Sequence, residues 1–81
     1  MIRFISPGLR VVIAEEARKD PFDFVVENHF DKFVLRSEKH FVDIPFKQLI
    51  EAAEHNDYGA ITNAAVEAVR TLRANVRAQC G

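Results

Sequence analysis

Apolar residues recur every three or four positions through the second half of the chain, a spacing that places side chains on one face of an α-helix. The first stretch predicts a helix from about residue 45 to residue 55, with Pro45 in its first turn, where proline is tolerated. A second helix is predicted from about residue 58 to residue 77, because one helical face collects Ile61, Ala65, Ala68, Val69, Leu72 and Val76. Between the two, Asn56 and Asp57 predict a helix stop followed by a new N-cap.

The middle of the chain alternates apolar and polar residues instead, which predicts β-strands. A hairpin is expected near residues 33–44, with one face formed by Phe33, Leu35, Val42 and Ile44. Its turn is placed near Glu38 and Lys39. Because Glu-Lys is poor chemistry for a two-residue turn, a longer loop over residues 37–40 is an equal alternative.

Residues 6–31 fit both periodicities. As strands they alternate in two sets, Leu9/Val11/Ile13 and Phe22/Phe24/Val26. As helices they offer two N-cap and first-turn pairs, Ser6-Pro7 and Asp20-Pro21. The density of β-branched and aromatic residues favours strands. Pro7-Gly8 then predicts a turn between strands at residues 2–5 and 9–14.

These patterns together predict one α+β domain over residues 1–81. A small antiparallel sheet, built from N-terminal strands and the hairpin, is expected to carry the two C-terminal helices on one face. The alternative, if residues 6–31 are helical, is a mostly α-helical fold with one short hairpin.

The composition changes this picture in one respect, namely how so short a chain becomes stable. A chain of 81 residues buries only about 60–65% of the surface that it exposes when unfolded. Its single cysteine excludes an internal disulfide, and no Cys/His spacing predicts a structural metal. With 48% hydrophobic residues and seven phenylalanines, the chain is expected to self-associate, as a homodimer.

Charge and hydropathy limit which partners and which cellular compartment are expected. The net charge of −1 argues against a strongly acidic nucleic-acid mimic and against a uniformly basic nucleic-acid binder. The longest apolar run, residues 11–14, is far shorter than the ~20 residues that span a bilayer. We therefore expect a cytoplasmic protein with no membrane contact.

Residues with catalytic chemistry form no motif. His29, His40 and His55 are scattered, and Glu51 with His55 supplies only two of the ligands that a metal needs. Cys80 stands one residue from the end of the sequence, where order is usually lost. The expectation is a protein without catalytic residues, metal or cofactor.

Two groups of residues are candidates for binding a partner. On the last predicted helix, Arg70, Arg73 and Arg77 form one stripe with Val66 among them, expected opposite the apolar face. Such a stripe suits an acidic or phosphate-bearing partner, although cations near a helix C-terminus also serve stability and solubility. On the hairpin, Arg36 and Phe41 are expected on the face opposite Phe33, unless a second layer covers them.

The function expected by elimination is that of a non-enzymatic regulator or inhibitor that occupies a surface of a larger protein. Phages and bacteria encode short inhibitors of this kind, anti-defence proteins among them. The alternative is a nucleic-acid-binding regulator that uses the arginine stripe.

Overall fold

The computed structural model describes the backbone of residues 2–80 and the side chains of residues 8–78. The elements in chain order are α1 (Ile2–Lys19), β1 (Val25–Asn28), β2 (Lys32–Ser37), β3 (His40–Pro45), α2 (Phe46–Glu54) and α3 (Tyr58–Cys80). The strands form one antiparallel sheet in the order β1-β2-β3, so that β2 is central. The α+β class predicted from the sequence is confirmed.

The predicted hairpin is confirmed in register as well as in position. Phe33 lies opposite Ile44, and Leu35 lies opposite Val42. All four side chains belong to the hydrophobic core or pack against it. The alternation of the sequence therefore identified the face of the sheet that packs against the helices.

The hairpin turn consists of Glu38 and Lys39 alone, because Ser37 pairs with His40. Of the two alternatives, the shorter turn is the observed one. Glu38 has a φ of 53°, in the left-handed region that a non-glycine residue occupies at a cost. A positive φ at the first turn position matches the right-handed twist of paired strands, which explains why the pairing imposes it.

The N-terminal strands are the main error of the sequence prediction. Residues 2–5 and 9–14 are not strands but parts of α1. Pro7-Gly8 lies within this helix rather than in a turn, and Ser6 is not its N-cap, because the helix begins four residues earlier, at Ile2.

Burial along α1 gives the physical reason for the helix. Leu9, Ile13 and Glu16 are spaced by four and three residues and are 3%, 2% and 3% exposed. Val11 would share a face with Leu9 and Ile13 in a strand, yet it is 57% exposed. Only a helix buries the first three together and leaves Val11 in solvent.

Residues 20–31 follow the strand interpretation in part. Asp20-Pro21 does not start a helix, and the strand begins only at Val25. Before it, Phe22 and Phe24 are half-buried with their rings stacked at a centroid distance of 4.9 Å. Their alternation with exposed residues therefore persists in an extended segment that precedes the sheet.

The junction between α2 and α3 is the predicted stop and restart. Asn56 has a φ of 55°, and its N–H donates to the carbonyl of Ala53, while that of Asp57 donates to Ala52. This pair of hydrogen bonds is a Schellman motif. The Asp57 carboxylate then accepts from the N–H of Ala60 at 3.1 Å and caps α3.

Pro45 differs slightly from its predicted place. It is the N-cap of α2, with extended φ and ψ of −64° and 135°, rather than a residue of the first turn. The next residue, Phe46, begins the helix and meets Phe33 edge to face at a centroid distance of 4.7 Å. This contact joins the start of α2 to the sheet.

The core lies between the inner face of the sheet and the three helices. Its largest fully buried side chains are Phe33, Leu35, Leu49, Val69 and Leu72. The apolar face predicted for α3 is confirmed, since Ile61, Ala65, Ala68, Val69 and Leu72 are all buried. Because α3 packs against the sheet, α1 and α2, it is the central helix of the fold.

Candidate functional site

The arginine stripe of α3 lies against the C-terminal end of α1, while the side chains of Arg70 and Arg77 stay 61% and 56% exposed. Arg70 Nε donates to Oε1 of Glu16 at 3.0 Å. Arg73 donates from Nη2 to the backbone carbonyl of Glu16 at 2.8 Å, and Arg77 donates to the Asp20 carboxylate. We call these five residues the α1–α3 seam.

The seam holds three arginines and two carboxylates, and each arginine donates a hydrogen bond across it. The Glu16 side chain is only 4% exposed and lies near the negative end of the α1 dipole, which disfavours a carboxylate there. Hydrogen bonds from Arg70 and Lys19 nevertheless lower the pKa of Glu16, and the bond from Arg77 lowers the pKa of Asp20. The same bond raises the pKa of Arg77.

Arg73 also binds a third part of the chain. Its side chain is 12% exposed, and its guanidinium carbon lies 5.6 Å from the centroid of the Phe22 ring. Val66, two turns earlier on the stripe, is half-buried. The seam therefore links α1, α3 and the extended segment before β1, and a contact of these residues with a partner stays a prediction.

The second candidate pair, Arg36 and Phe41, is brought together on the outer face of the sheet. The two residues are cross-strand neighbours, with the guanidinium carbon of Arg36 5.6 Å from the Phe41 ring centroid. On the other side of Arg36 lies Val25. Val25 and Phe41 are 57% and 56% exposed. We call Val25, Arg36 and Phe41 the outer-face patch.

Ion pairs hold the strands beside the patch. Glu27 Oε1 lies 3.2 Å from Arg36 Nε, and Asp43 Oδ2 lies 3.1 Å from Lys32 Nζ. Between these pairs Val34 points outward but is only 2% exposed, because its row neighbours are Glu27 and Asp43. A hydrogen bond from His29 and, to a smaller extent, one from Arg36 lower the pKa of Glu27.

No second layer covers the outer face of the sheet among the described residues, as the composition of the core shows. The cluster that packs between sheet and helices contains residues of the inner face, such as Phe33 and Leu35. It contains none of Val25, Val34 and Phe41. Among the described residues, the helices therefore cover one face of the sheet and leave the outer-face patch in solvent.

The histidines do not converge. His29 bonds to Glu27 at 3.1 Å, and His55 is the C-cap of α2. His40 is half-buried at the start of β3, and its Nε2 has no hydrogen-bond partner in the described part of the chain. The side chain of Cys80 lies outside the described residues. No three His, Cys, Asp or Glu side chains of the described residues are grouped so that they could hold a metal ion.

Three residues of these surfaces were missed by sequence reasoning, namely Glu16, Asp20 and Val25. Glu16 falls three residues after Ile13 and seven after Leu9, so a helical interpretation would have identified it as a buried carboxylate. Val25 could be placed beside Arg36 only once β1 was paired with β2.

No protein-family model, curated protein or solved structure matches this chain. Among the described residues, every helix is too short or too polar to cross a bilayer.

Proposed function

We propose that this chain is a non-enzymatic protein-binding regulator or inhibitor, and that it binds through the outer-face patch. The observation that supports this function is an arginine between two half-exposed apolar side chains on a sheet face without a second layer. Arginine and aromatic residues are enriched among the residues that dominate protein interfaces. The strands fix the backbone of all three residues, so that no backbone ordering is required on binding.

The geometry of Arg36 indicates the chemistry of the partner. Its Nε bonds to Glu27, and no hydrogen bond from its two terminal nitrogens is found among the described residues. These nitrogens suit a carboxylate that approaches beside Phe41. The partner is therefore a protein surface with an acidic side chain next to an apolar one.

A protein fits this face better than a nucleic acid does. Arg36 and Lys32 are each paired with a carboxylate, so the face offers little attraction to a row of phosphates. The arginines of the stripe are likewise bonded to Glu16 and Asp20. For this reason we rank nucleic-acid binding, the second function considered from the sequence, below protein binding.

The proposal keeps three further expectations from the sequence. The protein acts in the cytoplasm, it forms a homodimer, and it belongs to the short inhibitors that phages and bacteria encode. Large apolar side chains remain exposed on the described surface, as self-association requires.

The test is affinity capture from a cytoplasmic extract with three forms of the protein: the unaltered chain, Phe41→Ser and the control Tyr58→Ser. Tyr58 is an aromatic residue, 64% exposed at the start of α3, and it is not part of the patch. Tyr58→Ser therefore removes an exposed aromatic ring, as Phe41→Ser does, but from another part of the surface. We expect the unaltered chain and the control to retain one protein, resistant to nuclease, that Phe41→Ser loses. Equal retention by Phe41→Ser, or release by nuclease, would contradict the proposal.

A further inference from the structure

A second surface lies at the opposite end of the sheet, around Phe30. This phenylalanine in the turn between β1 and β2 is fully exposed, at 101%, the highest value among the large hydrophobic residues of the described part. The turn is fixed by its backbone, because His29 N–H donates to the carbonyl of Lys32 at 2.9 Å and Phe46 N–H to that of Asp31 at 3.0 Å. Phe30 is therefore presented to solvent by an anchored turn.

Phe30 borders a shallow, open groove that continues along α2. Pro45, Phe46 and Ile50 supply the other apolar side chains. Phe46 and Ile50 are half-buried, so each keeps part of its apolar surface in the groove. We call this surface the Phe30 groove. It is separate from the outer-face patch, since Pro45 is four residues along β3 from Phe41, roughly 13 Å.

The rim of the groove is acidic. It carries Asp31, Glu51 and Glu54 against the single cation Lys47. None of these three carboxylates takes part in a salt bridge with another described residue. In contrast, Glu16, the acidic residue buried in the seam, has three cationic neighbours.

The position of two of these carboxylates is unfavourable for the helix itself. Glu51 and Glu54 lie in the last turn of α2, which has no basic residue. The helix dipole is negative at this end and disfavours anions there. A cation supplied from outside would relieve that repulsion, and departures from local helix preferences are expected where function requires them.

We propose that the Phe30 groove binds a basic amphipathic segment of a partner protein. An apolar side chain of the segment packs against Phe30 and Ile50, and lysine or arginine side chains pair with the carboxylates on the rim. This surface is additional to the outer-face patch, so that one chain has two separate protein-binding faces.

The charge of the rim distinguishes this partner from the others. Three carboxylates against one lysine repel phosphates, both of nucleic acids and of anionic lipids. A segment that combines free cations with an apolar side chain fits both properties of the groove.

The experiment selects peptides from a random displayed library on the immobilised protein and measures the best ones by calorimetry. Selected peptides should combine lysine or arginine with leucine, isoleucine or an aromatic residue. Phe30→Ser should weaken them about tenfold or more, as expected for a central anchor. The double variant Glu51→Gln/Glu54→Gln should also weaken them and reduce the salt dependence of binding. Far-ultraviolet circular dichroism verifies that each variant is folded.

The matched control is Val11→Ser, which removes an exposed apolar side chain of α1 from outside both surfaces and should leave peptide affinity unchanged. Selected peptides without basic residues, affinity that is indifferent to Phe30→Ser, or no enrichment at all would each overturn the groove proposal. None of these results bears on capture through Phe41, so the two proposals succeed or fail separately.

Discussion

The α1–α3 seam and the Phe30 groove contain the same kinds of charged residue and use them in opposite ways. In the seam, Glu16 and Asp20 each accept a hydrogen bond from an arginine of α3. On the rim of the groove, Glu51 and Glu54 take part in no salt bridge with any described residue. The difference teaches that the charges of the seam serve the fold, whereas those of the rim are available to a partner.

The ends of the two helices show the same contrast. The last turn of α1 carries Arg18 and Lys19, which the helix dipole favours, and Lys19 also bonds to Glu16. The last turn of α2 carries two glutamates and no basic residue. Both carboxylates of the seam thus have an arginine partner, whereas neither glutamate in the last turn of α2 forms a salt bridge with a described residue.

The strongest way to break the seam is to remove its apolar support. Ile13→Ala should lower the free energy of unfolding by about 2–5 kcal/mol, because Ile13 is 2% exposed and its loss leaves a cavity between α1 and the core. The measurement is urea denaturation followed by circular dichroism. Val11→Ala is the control, expected within about 0.5 kcal/mol of the unaltered protein. Equal effects at the two positions would contradict the helical burial of α1.

Much of the fold was predictable from the sequence where one periodicity dominates. The second half of the chain has helical spacing and local stop signals, and Asn56 and Asp57 make the hydrogen bonds that their side chains and backbone preferences suggest. The hairpin was predictable because Phe33, Leu35, Val42 and Ile44 share one face when residues 33–44 pair as two strands.

The first helix was not predictable by the same rules, because its residues satisfy two patterns. The β-branched Val11, Val12 and Ile13 favour strands locally. Packing against α3 buries Leu9 and Ile13 together, and this tertiary gain outweighs the local preference. No signal within residues 6–19 alone distinguishes the two outcomes.

The candidate site shows a similar limit. The positions of Arg70, Arg73 and Arg77 on one stripe followed from helix geometry, but Glu16 lies 54 residues before Arg70. A pairing across that separation depends on the topology and not on local spacing. The cross-strand pair of Arg36 and Phe41 was within reach, because the hairpin register determines it.

A smaller effect on the free energy of unfolding is expected when one carboxylate of the seam and one of the groove rim are neutralised in turn. Glu16→Gln should destabilise the protein, because Arg73 is 12% exposed and loses its nearby anion. Glu54→Gln is the matched change on the rim. It should leave the free energy of unfolding unchanged or raise it by at most about 0.5 kcal/mol, since it removes an anion from the negative end of α2. Thermal denaturation of the two variants side by side measures the difference, and a larger loss for Glu54→Gln would reverse our assignment of the two regions.

The smallest expected effect is a difference in acid sensitivity between these variants. Folding lowers the pKa of Glu16 below its ordinary value of 4.5, chiefly through the hydrogen bond from Arg70. The unfolded chain therefore takes up a proton first as the pH falls, so the stabilisation is complete above pH 4.5 and is lost as the pH falls through the lowered pKa. Glu16→Gln should reduce the loss of stability at acid pH without abolishing it. Asp20 and Glu27, whose pKa values are also lowered, still contribute to that loss. Urea denaturation between about pH 7 and about pH 3 measures the slope. Glu54→Gln should follow the unaltered protein, and an identical slope for Glu16→Gln would mean that the Glu16 pairings in the seam do not contribute to stability.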